Sequence, residues 1–369
     1  MKVLLLCRYS PMGASSRVRY YQYLPYLREF GVEISVVWLL DDNYLIRRHA
    51  GQLPLPQRLI GAYLRRVLSL FSAGSFDLLW IEGELFPWLP AWGEALLSRC
   101  GIPYVAEYDD AWFHRYDEHG SALVRLLLGD KINRVMRNAA LVIAGNDFLR
   151  DRARMAGVRA AFVLPSVVDL ERFHWAPRRP GQPFTIGWIG SPSTAEFLRP
   201  LVPVLARMRA ENDCRVVCIG AGDGVSSWLP AEVRPWLEDS EVKEIQAFDV
   251  GISPLIDTPW ARGKCGYKII QYMACGKPVV ASRVGMNAEI IRHGTNGFFA
   301  ETEEDWICCI RALRDDLALR ERMGQAGTRL VAERYSLQVT APKLLALLRQ
   351  AVGSRARATP LDRGSDANQ

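Results

Sequence analysis

The residues best suited to chemistry are concentrated in one stretch, 249–281, which reads DVGISPLIDTPWARGKCGYKIIQYMACGKPVVA. An apolar run ends at Ser253-Pro254-Leu255, an irregular loop follows, and Lys264-Cys265-Gly266-Tyr267-Lys268 then opens a segment with helical spacing. Its Ile269, Ile270 and Met273 turn inward, and it stops at Gly276 before Lys277-Pro278 leads into the next apolar run. The first turn of a helix offers unpaired backbone N–H groups and the positive end of the helix dipole. A glycine there lets a ligand come close to the backbone. Lys264 and Lys268 are four apart and share a face near that end. The combination suits an anionic group such as a diphosphate. An ordinary capped turn carrying two solvated lysines has the same spacing, so both readings stand at this level.

Other candidates are scattered. Asp109 and Asp110 end an apolar run where α/β folds place ligands; they could bind acceptor hydroxyls or orient a reacting group, or serve as helix N-cap and turn aspartate. His114 stands nearby, either in their place or as a surface-loop histidine. Ser15, Ser16 and Arg17 sit at a loop-to-helix junction on the acceptor side, with Ser as N-cap the plainer role. Arg17 and Arg19 could hold a phosphate or an acidic acceptor, or form a solvated helix face. Asn146 follows a strand end and could line the acceptor side or simply turn the chain. Glu241, ahead of Val242 and Ile245, and Glu289, four residues after Gly285, read as contacts to a nucleotide ribose or base, with exposed surface as the alternative.

The elements that must position these residues alternate between strand and helix throughout, which predicts a parallel α/β architecture. In the first half, Val3–Cys7, Val32–Leu39, Leu78–Ile81, Tyr104–Glu107 and Leu141–Ala144 are short apolar runs without polar alternation, as strands covered on both faces should be. A helix is expected from Ser15 through Tyr20, Leu24 and Leu27. Between Pro165 and Pro183 the composition shifts: Arg172, Trp175, Pro177, Arg178, Arg179, Pro180 and Gly181 read as a linker. The pattern then restarts with Phe184–Trp188, Arg215–Ile219, Val250–Ser253, Pro278–Ala281 and Gly297–Ala300. A helix is expected over Val331–Ala351, and the polar tail Gly353–Gln369 reads as disordered. The expected division is residues 1–175 together with a helix over 337–352, then 176–336, with 353–369 as tail.

In Gln57–Phe71, Ile60, Tyr63, Leu64, Val67, Leu68 and Phe71 fall on one helical face and Arg58, Arg65 and Arg66 on the other. Such a helix either packs its apolar face into the core or lies on anionic lipid.

Length and composition narrow the class. The chain has 369 residues, half of them apolar (49%), enough for two domains with real cores. The net charge of +6 is mild and scattered, which fits an anionic substrate or membrane surface and argues against a nucleic-acid partner. Eight cysteines show no paired zinc spacing, so reduced, mostly buried thiols are expected and no metal. The apolar start Val3–Leu6 is too short for a signal segment, and no run is long enough to span a bilayer; a cytoplasmic protein is expected, with peripheral contact at the inner face of the membrane left open. Ala221-Gly222-Asp223-Gly224 lacks the full dinucleotide fingerprint, and there is no P-loop and no nucleophile elbow. The adjacent Asp109 and Asp110 do not form a glycosidase pair.

The 249–281 segment resembles the donor-binding region of the retaining family 4 glycosyltransferases, which have the GT-B fold. PMGASSRVRYYQYLPYL (11–27) resembles their glycine-rich loop and first helix. YDDAW (108–112), AGNDFL (144–149) and LPSVVDLERF (164–173) resemble the end of the first domain. GWIGSPST (187–194) and VGMNAEIIRHGTNGFF (284–299) resemble parts of the second. The resemblance implies two Rossmann-like domains facing each other across a cleft, with a C-terminal helix returning to the first. It implies transfer of a sugar from a nucleotide-diphosphate donor, held by the second domain, to a glycan or lipid-linked acceptor held by the first, with retention and with no metal or cofactor.

Three departures qualify the resemblance. The family often has two glutamates eight residues apart; here those positions are Gly263 and Gln271, and Gln271 can still reach a ribose hydroxyl. The usual Arg/Lys pair after the second domain's first strand is replaced by Ser191, Ser193 and Thr194, which leaves Lys264 and Lys268 to supply the charge. A frequent histidine is replaced by Asp109. The expected catalytic set is therefore Asp109, Asp110 and Lys268. Two further readings remain: a non-catalytic subunit that binds a nucleotide sugar or glycan, and a nucleotide-sugar epimerase.

Overall fold

The computed structural model describes residues 1–356 except 50, 54, 178–180 and 212–213. The chain divides into two compact units, Met1–Leu164 with the segment from Ala341 onward, and Pro165–Thr340.

The first unit holds a six-stranded parallel sheet of β1 (Lys2–Tyr9), β2 (Glu33–Leu40), β3 (Leu78–Glu82), β4 (Tyr104–Tyr108), β5 (Leu141–Ala144) and β6 (Ala161–Val163), in the order β2-β1-β3-β4-β5-β6. Of the four inner strands, β3, β4 and β5 are buried along their whole length and β1 along all but its ends. β2 is an edge strand with alternating exposure, so its expected two-sided cover is missing there and Trp38 stands outward. The short apolar β6 was not expected. The helix expected from Ser15 is broken: Ala14–Arg19 is followed by a tighter turn at Tyr21–Tyr23 and a new helix, Leu24–Glu29. Pro25 at the start of that last helix is pre-set for a first turn and cannot continue an older one.

The second unit holds β7 (Phe184–Ile189), β8 (Cys214–Ile219), β9 (Glu232–Arg234), β10 (Val250–Ser253), β11 (Val279–Ala281) and β12 (Gly297–Phe299), all parallel, in the order β12-β11-β10-β7-β8-β9. Counted within the unit, this is the 3-2-1-4-5-6 order of dinucleotide-binding folds. The core lies on both faces: Val216 and Cys218 pack into one apolar cluster, Val217 and Ile219 into the other. Cys214 and Cys218 thus sit in a strand as expected, and the cysteines of the described residues are unpaired thiols.

The segment expected to link the domains is attached to the second unit wherever it is described. Arg172 pairs with Glu241 at 2.9 Å and Glu238 at 3.4 Å, Trp175 lies against Gly276, and Gln246 donates to the His174 carbonyl at 2.9 Å. Arg178, Arg179 and Pro180 lie outside the described residues. The helix expected over Val331–Ala351 is two, Leu317–Arg334 and Leu337–Ala356. The break has a cause: Val168 donates to the Tyr335 carbonyl at 3.1 Å and accepts from Leu337 N–H at 2.8 Å, which diverts that backbone from the helix. The last helix carries the chain from the second unit into the first, where Arg349 donates to the Phe30 carbonyl. Of the expected tail, Gly353 to Ala356 belong to this helix and 357–369 lie outside the described residues.

Candidate functional site: the two switch points

An open parallel sheet binds ligands beyond the carboxyl ends of its strands, where the order of connection reverses. In the second unit that point lies between β7 and β10. The two strands pair only as far as Gly187 and Gly251 and then diverge. The hydroxyl of Tyr272, buried, fills the gap: it accepts from the Ile189 N–H at 3.0 Å. Gly251 makes room for the ring, since a Cβ there would stand 2.2 Å from it.

The loops that leave this gap carry the expected donor residues. After β7, Ser191, Ser193 and Thr194 gather their hydroxyls: Ser191 and Ser193 are 3.0 Å apart, Ser191 and Thr194 3.3 Å, and Thr194 accepts from the Ser191 N–H at 3.0 Å. After β10, the helix Tyr267–Ala274 opens at Gly266, whose backbone is left-handed (φ 64°). A Cβ at Gly266 would lie 2.6 Å from Ile290, so both conformation and packing require glycine here, beyond the ligand access expected. Cys265 is buried, with its thiol near the Gly263 carbonyl.

Lys268 joins the two loops. Its ammonium lies 3.4 Å from the Thr194 hydroxyl and 4.8 Å above the Trp188 ring. Among the described residues no carboxylate pairs with it. Desolvation, with the charge of Lys264 added, pushes its pKa down to about 7. Lys264 stands over Phe197.

The ribose candidates separate. Glu241 is buried, contrary to a surface position; its carboxylate accepts from Trp236 Nε1 at 3.0 Å, from Gln271 Nε2 at 2.9 Å and from Arg172 at 2.9 Å. Gln271 is thus joined to Glu241 through its amide. Glu289 is exposed in the first turn of Met286–Ile290.

In the first unit the reversal lies between β1 and β3. Here the acceptor candidates fare differently. Ser16 is fully buried inside the helix Ala14–Arg19, which Gly13 caps; its hydroxyl donates to Glu82 at 2.6 Å and accepts from the Tyr9 N–H at 3.2 Å, so it holds the loop and is not offered to a ligand. Ser15 is half-buried beside it, and Arg17 reaches the carbonyls of Pro11 and Met12. Arg19 is buried, ion-paired to Glu107 at 2.7 Å and donating to the Leu164 carbonyl at 2.8 Å, which removes it from any acceptor role. Asn146 is buried as the N-cap of Asp147–Met155, accepting from the Leu149 N–H at 2.9 Å. Asp109 and Asp110 are half-buried just past β4, and Asp110 accepts from the Ala111 N–H. His114 Nδ1 lies 2.9 Å from Asp117 and 3.1 Å from Glu118, and its Nε2 is buried without a hydrogen-bond partner. These three could share a cation, but Asp117 is already held by Arg152 at 2.9 Å.

Sequence reasoning missed the buried charges of this unit. Glu82 accepts from the Arg8 N–H at 2.7 Å, and desolvation pushes its carboxyl up to about 7. Glu107 also accepts from Trp80 Nε1 at 2.8 Å. Glu84 is ion-paired to Lys131 at 2.5 Å and bonded to the Tyr116 hydroxyl. The available signal was charge inside an apolar strand, as in WIEGE (80–84).

The amphipathic helix Pro56–Phe71 is also turned from the core-packed expectation. Arg66, placed on the solvated face, is buried and donates to the carbonyls of Cys7 and Val37, while Ile60, Leu64, Leu68 and Phe71 are exposed. Burial pushes the Arg66 pKa down to about 10. No helix of the described residues is long and apolar enough to cross a membrane.

Two units of parallel six-stranded Rossmann-like sheet, with the last helix returning to the first unit, define the GT-B fold. The match to solved structures agrees. HepE from Anabaena, solved with UDP, superposes with a TM-score of 0.67 at 18% identity, over 95% of this chain and 100% of that one. Sucrose-phosphate synthase from Thermosynechococcus elongatus superposes with a TM-score of 0.72 at 15% identity, over 96% and 100%. The glycosyl transferase 4-like domain model matches residues 12–165 and the glycosyl transferases group 1 model residues 183–316. The chain belongs to the family 4 glycosyltransferases. Among curated relatives, the D-inositol 3-phosphate glycosyltransferase of Pseudarthrobacter chlorophenolicus is 28% identical over 142 residues, 34% of this chain and 32% of that protein. The chain thus matches about a third of that relative's length.

Proposed function

We propose that the protein transfers a sugar from a nucleotide-diphosphate donor to a glycan or lipid-linked acceptor, with retention of anomeric configuration, in the building of cell-envelope polysaccharide or glycolipid. One observation carries the reading: Lys268 stands at the switch point of the second unit, beside the Ser191, Ser193 and Thr194 hydroxyls, with no carboxylate to neutralise it. A bound diphosphate supplies the missing anion. HepE, which shares the fold, was solved with UDP and with UDP-glucose.

Lys264, Lys268 and the amides of 264–267 hold the diphosphate, and Ser191 and Ser193 hold it from the other loop. Gln271 keeps its side-chain carbonyl for a ribose hydroxyl, and Glu241 fixes the amide; Glu289 is a second ribose contact. The acceptor hydroxyl attacks the anomeric carbon on the face the diphosphate leaves. The new C–O bond forms as the bond to the phosphate oxygen breaks, and the hydroxyl proton passes to a phosphate oxygen. The lysines stabilise the charge that develops on that leaving group. Asp109 and Asp110 orient sugar or acceptor, and the unpartnered Nε2 of His114 is available to an acceptor hydroxyl. Ser15 and Arg17 border the acceptor. The protein works on the cytoplasmic side, at the inner face of the membrane.

The test is turnover of UDP-, GDP- and ADP-sugars against an acceptor panel, with product stereochemistry read by NMR. An α-linked product from an α-linked donor is expected. Binding without turnover across the panel points instead to a non-catalytic subunit, and conversion of donor without acceptor to an epimerase.

A further inference from the structure

The first unit has a cavity at its own switch point. About 850 Å³ in volume, it opens at the carboxyl ends of β2, β1 and β3, where parallel sheets receive ligands. Its wall is apolar. Ile60, Leu64 and Val67 come from the helix Pro56–Phe71, Phe86 and Trp88 from the loop after β3, and Trp92 from the start of the helix Trp92–Arg99. Much of this surface is open: Leu64 is 58% exposed and Trp92 73%. Exposed apolar area on this scale marks a binding surface.

The wall is held in place. Tyr63 Oη donates to the Pro87 carbonyl at 2.6 Å, joining helix to loop. Trp88 has a left-handed backbone (φ 63°), the only such residue other than glycine among those described. A bulky residue held there is strained, and such strain collects at ligand clamps. Its ring is braced edge-on against Tyr116, and its N–H donates to the Tyr116 hydroxyl at 3.0 Å.

One side of the cavity is cationic. Arg8, Arg48 and Arg115 line it, and no carboxylate does. Arg8 decides the matter. Its side chain is 7% exposed, stacked over the Trp112 ring at 4.5 Å, and its one link to Glu84 is long, at 3.4 Å. Glu84 is satisfied by Lys131 and Tyr116. Arg8 Nε and Nη1 are buried with no hydrogen-bond partner. A buried guanidinium with two orphaned donors is costly unless something accepts from it. A phosphate oxygen is a strong acceptor for such a donor.

From this we infer that the cavity binds an amphiphile, a phosphate carried on a long apolar chain, with the phosphate on Arg8 and the chain along Ile60, Leu64 and Trp92. Its use as the acceptor's lipid anchor rests on the glycosyl-transfer reading; the binding itself does not.

The experiment titrates the full chain with dodecyl phosphate, octyl phosphate, dodecanol and inorganic phosphate, followed by tryptophan fluorescence, with UDP titrated in parallel. Dodecyl phosphate should bind at least about tenfold tighter than dodecanol, because charge-assisted hydrogen bonds are involved. Shortening the chain should weaken binding by up to about fourfold per methylene. Ile60→Glu with Leu64→Glu, both at exposed positions, should lower dodecyl phosphate affinity at least about tenfold and leave UDP binding unchanged. Arg8→Met should erase the preference for phosphate over alcohol. Equal binding of phosphate and alcohol, or indifference to the Ile60/Leu64 variant, overturns the inference. So does pelleting with phosphatidylglycerol vesicles without binding of dodecyl phosphate. If UDP, GDP or ADP, titrated likewise, binds and dodecyl phosphate does not, this inference alone falls; if dodecyl phosphate binds and none of the three nucleotides does, the donor reading falls.

Discussion

The two units solve the same topological problem with opposite electrostatics. Both reverse their strand order at a central pair, β1 and β3 in one and β7 and β10 in the other. In the first, that region is crowded with internal pairs, Arg19 with Glu107 and Lys131 with Glu84. In the second, Lys268 stands among hydroxyls with no acid beside it among the described residues. Buried pairs satisfy themselves, and what they position is a wall and one under-used arginine. An uncompensated buried lysine is destabilising on its own, and the proposed diphosphate would supply its counter-charge. A parallel sheet thus supplies the place for a ligand, and the side chains after each strand decide its charge.

This contrast can be broken at either end. The largest effect is expected from Arg19→Met, which leaves Glu107 buried without its partner and should cost about 3–5 kcal/mol of stability by urea denaturation. A smaller loss would mean that the first unit does not depend on internal pairing. Lys264→Ala with Lys268→Ala should weaken nucleotide-sugar binding at least about 100-fold by calorimetry while the fold stays intact, since two charge-assisted contacts are removed.

The pH dependence sharpens the same contrast. Lys268, pushed down to about 7 from 10.5, carries the full cost of its charge below pH 7; stability rises as pH climbs from there toward 10.5. A bound diphosphate reverses the preference, so donor binding at pH 8 should take up close to one proton, read from calorimetry in buffers of different ionisation enthalpy. Lys268→Met should abolish that uptake. Glu82 moves the other way. Its carboxyl is pushed from 4.5 to about 7, so the fold binds its proton more tightly than the unfolded chain does, and its contribution is lost as pH rises across that window. Glu82→Gln should flatten the slope there, by at most about 3–4 kcal/mol.

Much of the fold was legible because its signals are local and repeated. The inner strands were readable as short apolar runs, and the helix opening at Gly266 was readable from its glycine and flanking lysines. β6 and β9 were not, being three-residue edge strands, the first apolar but very short and the second with a single apolar residue. The break at Tyr335 was invisible because it is caused by Val168, far away in sequence. The same limit governs the sites. Lys268 and Thr194 meet through sheet order, which their motifs suggested. Ser16, Arg19 and Asn146 looked like ligand contacts because polar residues after strands usually are, yet each bonds to a neighbouring part of the fold. Arg66 shows the converse: a helical wheel assigns it to solvent, yet it is buried and donates to the carbonyls of Cys7 and Val37.

The central claim, that the second unit's switch point binds a nucleotide diphosphate, is tested most directly by a metal-free thermal-shift titration with UDP, GDP, ADP and their common sugars. At about 100 times its dissociation constant a ligand that binds only the folded chain stabilises it by about 2.7 kcal/mol. The account predicts a selective shift with one nucleotide and its sugar, lost in the Lys264/Lys268 double variant. No shift with any nucleotide, or a shift the double variant retains, would contradict it.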